Sequence, residues 1–168
     1  MKKLILAVAT FILVATHGNA QTEVGANFGL LHLPITKTTT NLYGASILGK
    51  YEVIKNVRVG ANIGYYKQTI ATNFSTFAMP MVASVDYKYT KGKFSPFGGL
   101  ELGIYRLGIS NGVTSIATNN LAFVPLIGCD YELTKQFNVN ANIKYNYVMT
   151  SGTSTSGIGF NVGLAYKL

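Results

Sequence analysis

The chain has a single cysteine, Cys129, among its 168 residues. One thiol excludes an intramolecular disulfide and any cysteine-rich metal site, so covalent staples do not hold this fold. Histidine is nearly as scarce, with only His17 and His32, and neither a histidine pair nor a dense carboxylate loop suggests zinc or calcium. No cofactor motif occurs. Acid is in short supply too: six Asp and Glu face fourteen Lys and Arg, for a formal net charge of +8. Helix-length apolar runs are also missing. The run Leu4–Ala15, interrupted by Thr10, falls short of the roughly 20 residues that a membrane-spanning helix needs.

That run has a different reading. It follows Lys2 and Lys3 and leads into Thr16-His17-Gly18-Asn19-Ala20, with small residues at the last and third-last positions. This is the layout of a secretory signal peptide, with cleavage expected between Ala20 and Gln21. Residues 1–20 are therefore set aside, and residues 21–168 are read as one domain. Export argues against nucleic acid as the partner of the positive charge. Lys55, Lys91, Lys93 and Lys135 fall in expected turns, where they keep turns soluble or meet anionic head groups.

What the rest of the chain has is alternation. Eight stretches carry apolar or aromatic side chains on one parity and Gly, Asn, Ser or charges on the other, the period of a β-strand. The seventh sets Phe137, Val139, Ala141, Ile143, Tyr145 and Tyr147 against Asn138, Asn140, Asn142, Lys144 and Asn146. The eighth sets Ile158, Phe160, Val162, Leu164, Tyr166 and Leu168 against Gly159, Asn161, Gly163, Ala165 and Lys167. The fourth, fifth and sixth, near 77–89, 94–107 and 121–133, are noisier. Pro80, Pro96 and Pro125 lie in or near them, so bulges or strand ends are expected there.

Alternation alone does not say which face looks outward, because a soluble barrel shows the same pattern with its apolar face inward. Volume decides. The apolar parity is the bulky one and the other is rich in glycine, whereas the inside of a barrel this small is narrow. Turning the bulky parity outward makes the chain an all-β, eight-stranded antiparallel up-and-down transmembrane β-barrel. Its inner parity then holds a mixed set of charges: Glu23, Lys50, Glu52, Arg58, Asp86, Lys88, Glu101, Asp130, Glu132 and Lys144. Outward charge at the bilayer midplane costs about 2–4 kcal/mol for Lys or Arg, and only Arg106, near an expected strand end, breaks that rule. Tyr51, Tyr87, Tyr131 and Tyr166 form one aromatic girdle, and Tyr65, Phe77, Phe123 and Tyr147 the other. Brief turns near residues 55–56, 91–93 and 134–136 alternate with longer connections at 34–41, 67–76, 108–120 and 150–156. Short turns belong to the periplasmic side of such barrels and long loops to the outside.

With these features the chain resembles the small outer-membrane β-barrel domain family, relatives of eight-stranded, porin-like barrels of the OmpA type. The resemblance spans residues 21–168 and is one of pattern. Its sharpest match is Asn161-Val162-Gly163-Leu164-Ala165-Tyr166-Lys167-Leu168, which looks like the family's assembly signal at Asn161, Gly163, Tyr166 and Leu168, although Leu168 replaces the usual aromatic ending. Residues 79–89 and 94–103 resemble the family's central hairpin. The resemblance implies outer-membrane lipids and the barrel-insertion machinery as partners, and a monomer. Some barrels of this size are lipid acyltransferases with His, Asp and Ser near the outer rim. His32, with Ser46 and Thr38 to Thr40 nearby in sequence, is the one place to look for such a site. Cys129 lies on the outward parity as a small hydrophobe. No catalytic constellation forms, and the reading favoured by the sequence is a structural or surface-interacting barrel with a filled polar lumen. A soluble lipocalin-like carrier is the alternative from another class, followed by a lipid-modifying enzyme or a narrow ion channel.

Overall fold

The computed structural model describes residues 21–34, 39–72, 74–150 and 153–168. The expected leader, residues 1–20, and with it the cleavage position at Ala20, lie outside the described residues, as do Lys37 and Thr38. Eight strands follow one another: β1 (Thr22–Pro34), β2 (Thr39–Ile54), β3 (Val57–Ala71), β4 (Phe74–Lys88), β5 (Phe94–Ser110), β6 (Ser115–Glu132), β7 (Phe137–Thr150) and β8 (Thr153–Lys167). Each pairs antiparallel with the next, and β1 pairs with β8, from Glu23 opposite Lys167 to His32 opposite Ile158. The sheet thus closes on itself and leaves no unpaired edge, which is what the hydrocarbon core requires of a sheet that crosses it.

The expected facing holds along every strand. Phe28, Ile47, Ile63, Tyr65, Ile104, Ile127, Phe160 and Val162 are exposed on the outer wall. Glu23, Asn27, Arg58, Asp86, Glu101, Asp130, Asn140 and Asn161, on the other parity, are buried inside. The two girdles meet across strands: Tyr65 stacks on Phe77 with centroids 6.1 Å apart, and Phe137 meets Tyr166 edge-on at 5.1 Å. An apolar belt outside, with every Asp and Glu kept off it, is the arrangement that lipid surroundings stabilise. It also removes the carrier reading, whose apolar parity would have to line a cavity.

Two sequence expectations need correction. The longer connections are mostly strand: β1 runs to Pro34 and β2 starts at Thr39, β3 runs to Ala71 and β4 starts at Phe74, β5 runs to Ser110 and β6 starts at Ser115, and β7 runs to Thr150 and β8 starts at Thr153. The alternation persists through the Ser, Thr and Asn of these segments, and their backbones gain ladder hydrogen bonds instead of looping. As a result Lys67 is a strand residue, exposed on the outward parity, and Arg106 is not the sole charge there. The prolines do not end strands either. Pro80 and Pro125 sit inside β4 and β6, where pairing is interrupted on one side only, between Ile63–Met81 and Tyr66–Ala78 and between Phe123–Tyr147 and Leu126–Lys144. Their other neighbours, Tyr105 and Leu100, still pair with them.

The turns at the end bearing the termini are built locally. In the two-residue link 55–56, Asn56 adopts φ 71°, a left-handed value that asparagine tolerates better than most residues, and its N–H donates to Glu52 Oε1 at 2.9 Å. Gly92 supplies the positive φ of 64° in the link 89–93.

Candidate functional site: a lumen closed in two layers

The lumen is not uniform, and its contents change along the barrel axis. Nearest the termini, six inward side chains make one cluster. Arg58 is its centre: Nε donates to Asp86 Oδ1 at 2.6 Å, and Nη1 to Glu23 Oε2 at 3.0 Å and Asp130 Oδ2 at 2.7 Å. Lys50 Nζ reaches Asp86 Oδ2 at 2.8 Å, and Lys88 Nζ lies 3.2 Å from Glu23 and 3.0 Å from Asp130. Three cations and three carboxylates cancel. Phe97 packs against two of them, with Lys50 Nζ 4.6 Å and the Arg58 guanidinium carbon 5.0 Å from its ring centre. Arg58 is only 2 % exposed, and a charge so desolvated is tolerated only when paired and hydrogen-bonded.

Of the ten residues expected to line the lumen with charge, the other four stand apart from this cluster. Lys144 Nζ binds both oxygens of Glu101, at 2.7 and 2.9 Å, one level further in. Glu132 pairs with Lys167 at 2.7 Å at the rim. Glu52 accepts from the Asn56 backbone and, among the described residues, meets no cation. Small inner residues make the space: a Cβ on Gly128 would collide with the Phe97 ring, and one on Gly64 with Tyr66.

Above Glu101 the wall changes character. Tyr66 and Tyr105 cross the lumen and donate to Asn161 Oδ1 at 2.7 Å and Asn146 Oδ1 at 2.5 Å. Around and beyond them Leu31, Leu33, Leu42, Ala78, Val82, Leu107, Ala122, Val124 and Val148 join the two tyrosines in one cluster, which starts at the level of Glu101, the ladder partner of Val124, and has Leu33, Leu42, Val124 and Val148 fully enclosed. The sequence leads to the expectation of a filled polar lumen; the outer half is instead mixed, with these apolar side chains packed among buried Thr40, Thr76, Asn120 and Asn146. The signal is in the sequence, since Leu31, Leu33, Val82 and Val148 all fall on the inner parity, but a strand phase set by apolar residues does not register them. Free volumes of about 20 Å³ around Arg58 and about 10 Å³ beneath Tyr105 remain inside the lumen, each space for about one water. At the outer mouth Phe74, Leu107, Ile109 and Ile116 line an open depression of about 450 Å³.

The residues weighed for catalysis do not converge. His32 points outward, its Nδ1 2.6 Å from Asn41 Oδ1, whereas Ser46 is buried inside on the opposite face of the wall. No carboxylate adjoins either. Among the described residues no group of three His, Cys, Asp or Glu side chains could hold a metal. Cys129 is a free, half-buried thiol on the outer face. Of the assembly-signal residues, Asn161 faces the lumen between Tyr66 and Asn142, Gly163 abuts Asn27, Tyr166 lies in the girdle, and the Leu168 N–H donates to Thr22 O at 2.8 Å, fastening the end of the last strand to the first.

A closed eight-stranded sheet with an apolar exterior and a packed interior defines an integral outer-membrane barrel. The chain belongs to the outer membrane protein beta-barrel domain family, whose model matches residues 4–167. Among solved structures it is similar to Neisserial surface protein A, at TM-score 0.72 and 18 % identity over 90 % of this chain and 98 % of that one. Ail of Yersinia pestis, solved with the heparin analogue sucrose octasulfate, matches at 0.64 and 12 % over 90 % and 100 %. The N-terminal β-barrel domain of Pseudomonas aeruginosa OprF matches at 0.61 and 15 % over 89 % and 100 %. At such identities the likeness is one of fold. No curated protein matches by sequence.

Proposed function

We propose that the protein is a closed, structural barrel of the outer membrane that acts through its outer surface and not through its bore. The observation that supports this is the double closure: an ionic layer around Arg58 and, nearer the outer mouth, a packed layer of Leu33, Leu42, Tyr66, Tyr105 and Val148 occupy the same lumen in series. An ion would have to cross both, and the free volumes of about 20 and 10 Å³ along that path each hold about one water. With neither a nucleophile–base pair nor a carboxylate near His32, the reading is not that of an enzyme.

In this reading a leader removed after Ala20 exports the chain, leaving Gln21 as the first residue. The insertion machinery recognises the last strand through Asn161, Gly163, Tyr166 and Leu168, and the product is a monomer in lipid with both termini in the periplasm. Planar-bilayer recording tests the core of it. Reconstituted barrel is expected to give no resolved conductance steps; regular steps would return the protein to the narrow-channel class.

A further inference from the structure

Among the described residues the outer wall carries two charges near its upper edge, and no carboxylate faces either. Lys67 on β3 and Arg106 on β5 are both exposed and outward-facing. From Val57 to Lys67 the strand climbs about 26 Å along the membrane normal, and from Phe94 to Arg106 about 31 Å, at about 3.4 Å per residue and a tilt of about 40°. The apolar band of such barrels is about 25 Å tall, so both cations stand at head-group level. They are neighbours there. Lys67 pairs with Phe77, Phe77 with Gly108, and Arg106 lies two residues from Gly108, opposite Met79, which puts their Cα atoms roughly 12 Å apart. Phe77 lies between them, its ring over Gly108, where a side chain would collide with it. Asn119, exposed beside Arg106 on β6, adds an amide.

All six carboxylates of the chain lie elsewhere. Glu23, Asp86 and Asp130 are held in the Arg58 cluster, Glu101 by Lys144 and Glu132 by Lys167, while Glu52 caps the turn at Asn56. None is on the outward parity. The upper wall is therefore cationic without compensation, and directly below the cations Tyr65, Ile63, Met81, Ile104 and Leu102 form an exposed apolar strip.

We propose that Lys67 and Arg106 dock the phosphate groups of an outer-leaflet phosphorylated glycolipid, with Phe77 as the floor between them and the strip below taking its acyl chains. A soluble anion satisfies the two charges only; an amphiphile satisfies both the charges and the strip. The proposal rests on the inserted barrel with its termini in the periplasm.

The test uses the full-length mature barrel in detergent, stripped of lipid, with phosphorylated lipid A and its dephosphorylated counterpart bearing the same acyl chains as probes, read by native mass spectrometry. Three proteins are compared: wild type, Lys67→Gln with Arg106→Gln, and a control with the same charge loss in the periplasmic turns, Lys55→Gln with Lys93→Gln. Each is first shown to be folded by its heat-dependent gel shift, so that loss of the barrel is distinguished from loss of the site. Wild type and control are expected to prefer the phosphorylated lipid by roughly tenfold or more, and the Lys67/Arg106 variant to lose that preference. Preference retained by that variant, equal loss in the turn control, or displacement of the lipid by millimolar inorganic phosphate would overturn the proposal.

Discussion

The two halves of the lumen solve one problem by different chemistry. The half near the termini holds six charged groups within hydrogen-bonding distance of one another, and the outer half holds mainly leucine, valine and tyrosine, with uncharged Thr and Asn among them. Hydrocarbon fills space without conditions, because a buried Leu needs no partner. Charge fills it only as a complete set, since any member left unpaired must bear its desolvation alone. The same bore is thus tolerant at one end and unforgiving at the other, and the comparison teaches that its stability is distributed unevenly among residues of equal burial.

Single substitutions should expose that inequality. Arg58→Ala is expected to be the most damaging, because it leaves Glu23, Asp86 and Asp130 facing one another with two lysines; about 3–5 kcal/mol is the ordinary cost of orphaning a buried charge. The urea midpoint of barrel refolding in lipid vesicles reads it, and a loss below 1 kcal/mol would mean that solvent already reaches the cluster. In the outer half, Leu33→Ala should cost about 2–5 kcal/mol by leaving a cavity, with its neighbours' contribution unchanged. Lys144→Met alone should destabilise by about 3 kcal/mol, yet Lys144→Met combined with Glu101→Met should recover most of that, since a buried pair replaced by apolar groups of similar size is often neutral. Failure of the double variant to recover would show that the pair also organises its surroundings. At the rim, where Glu132 is 38 % exposed in its side chain, Lys167→Ala should change stability by less than about 1 kcal/mol.

Much of this was legible in the chain. Period-two alternation in residues 137–147 and 158–168 gave both the strands and their facing, and glycine on the inner parity told which face had to be thin. Asp86, Asp130 and Arg58 could be placed inside for the same reason, but their meeting could not, because it depends on register across four strands. The inward leucines and valines are not legible in this way, because alternation takes its phase from apolar residues and Leu31, Leu33 and Val148 run against it. Loop lengths misled at Lys67 and at 115–120 because Ser, Thr and Asn suit turns and also tolerate a strand that rises clear of lipid into water.

In a barrel closed in this way the outer mouth and the ionic layer do not communicate through the lumen. Single cysteines placed in a Cys129→Ala background test it: Thr118→Cys, at the mouth, and Ser46→Cys, buried on the inner wall opposite Asn27 and below Leu42. Intact cells are treated with a membrane-impermeant thiol reagent. The account predicts labelling at Thr118→Cys and none at Ser46→Cys in the folded barrel; labelling of both at similar rates would contradict it.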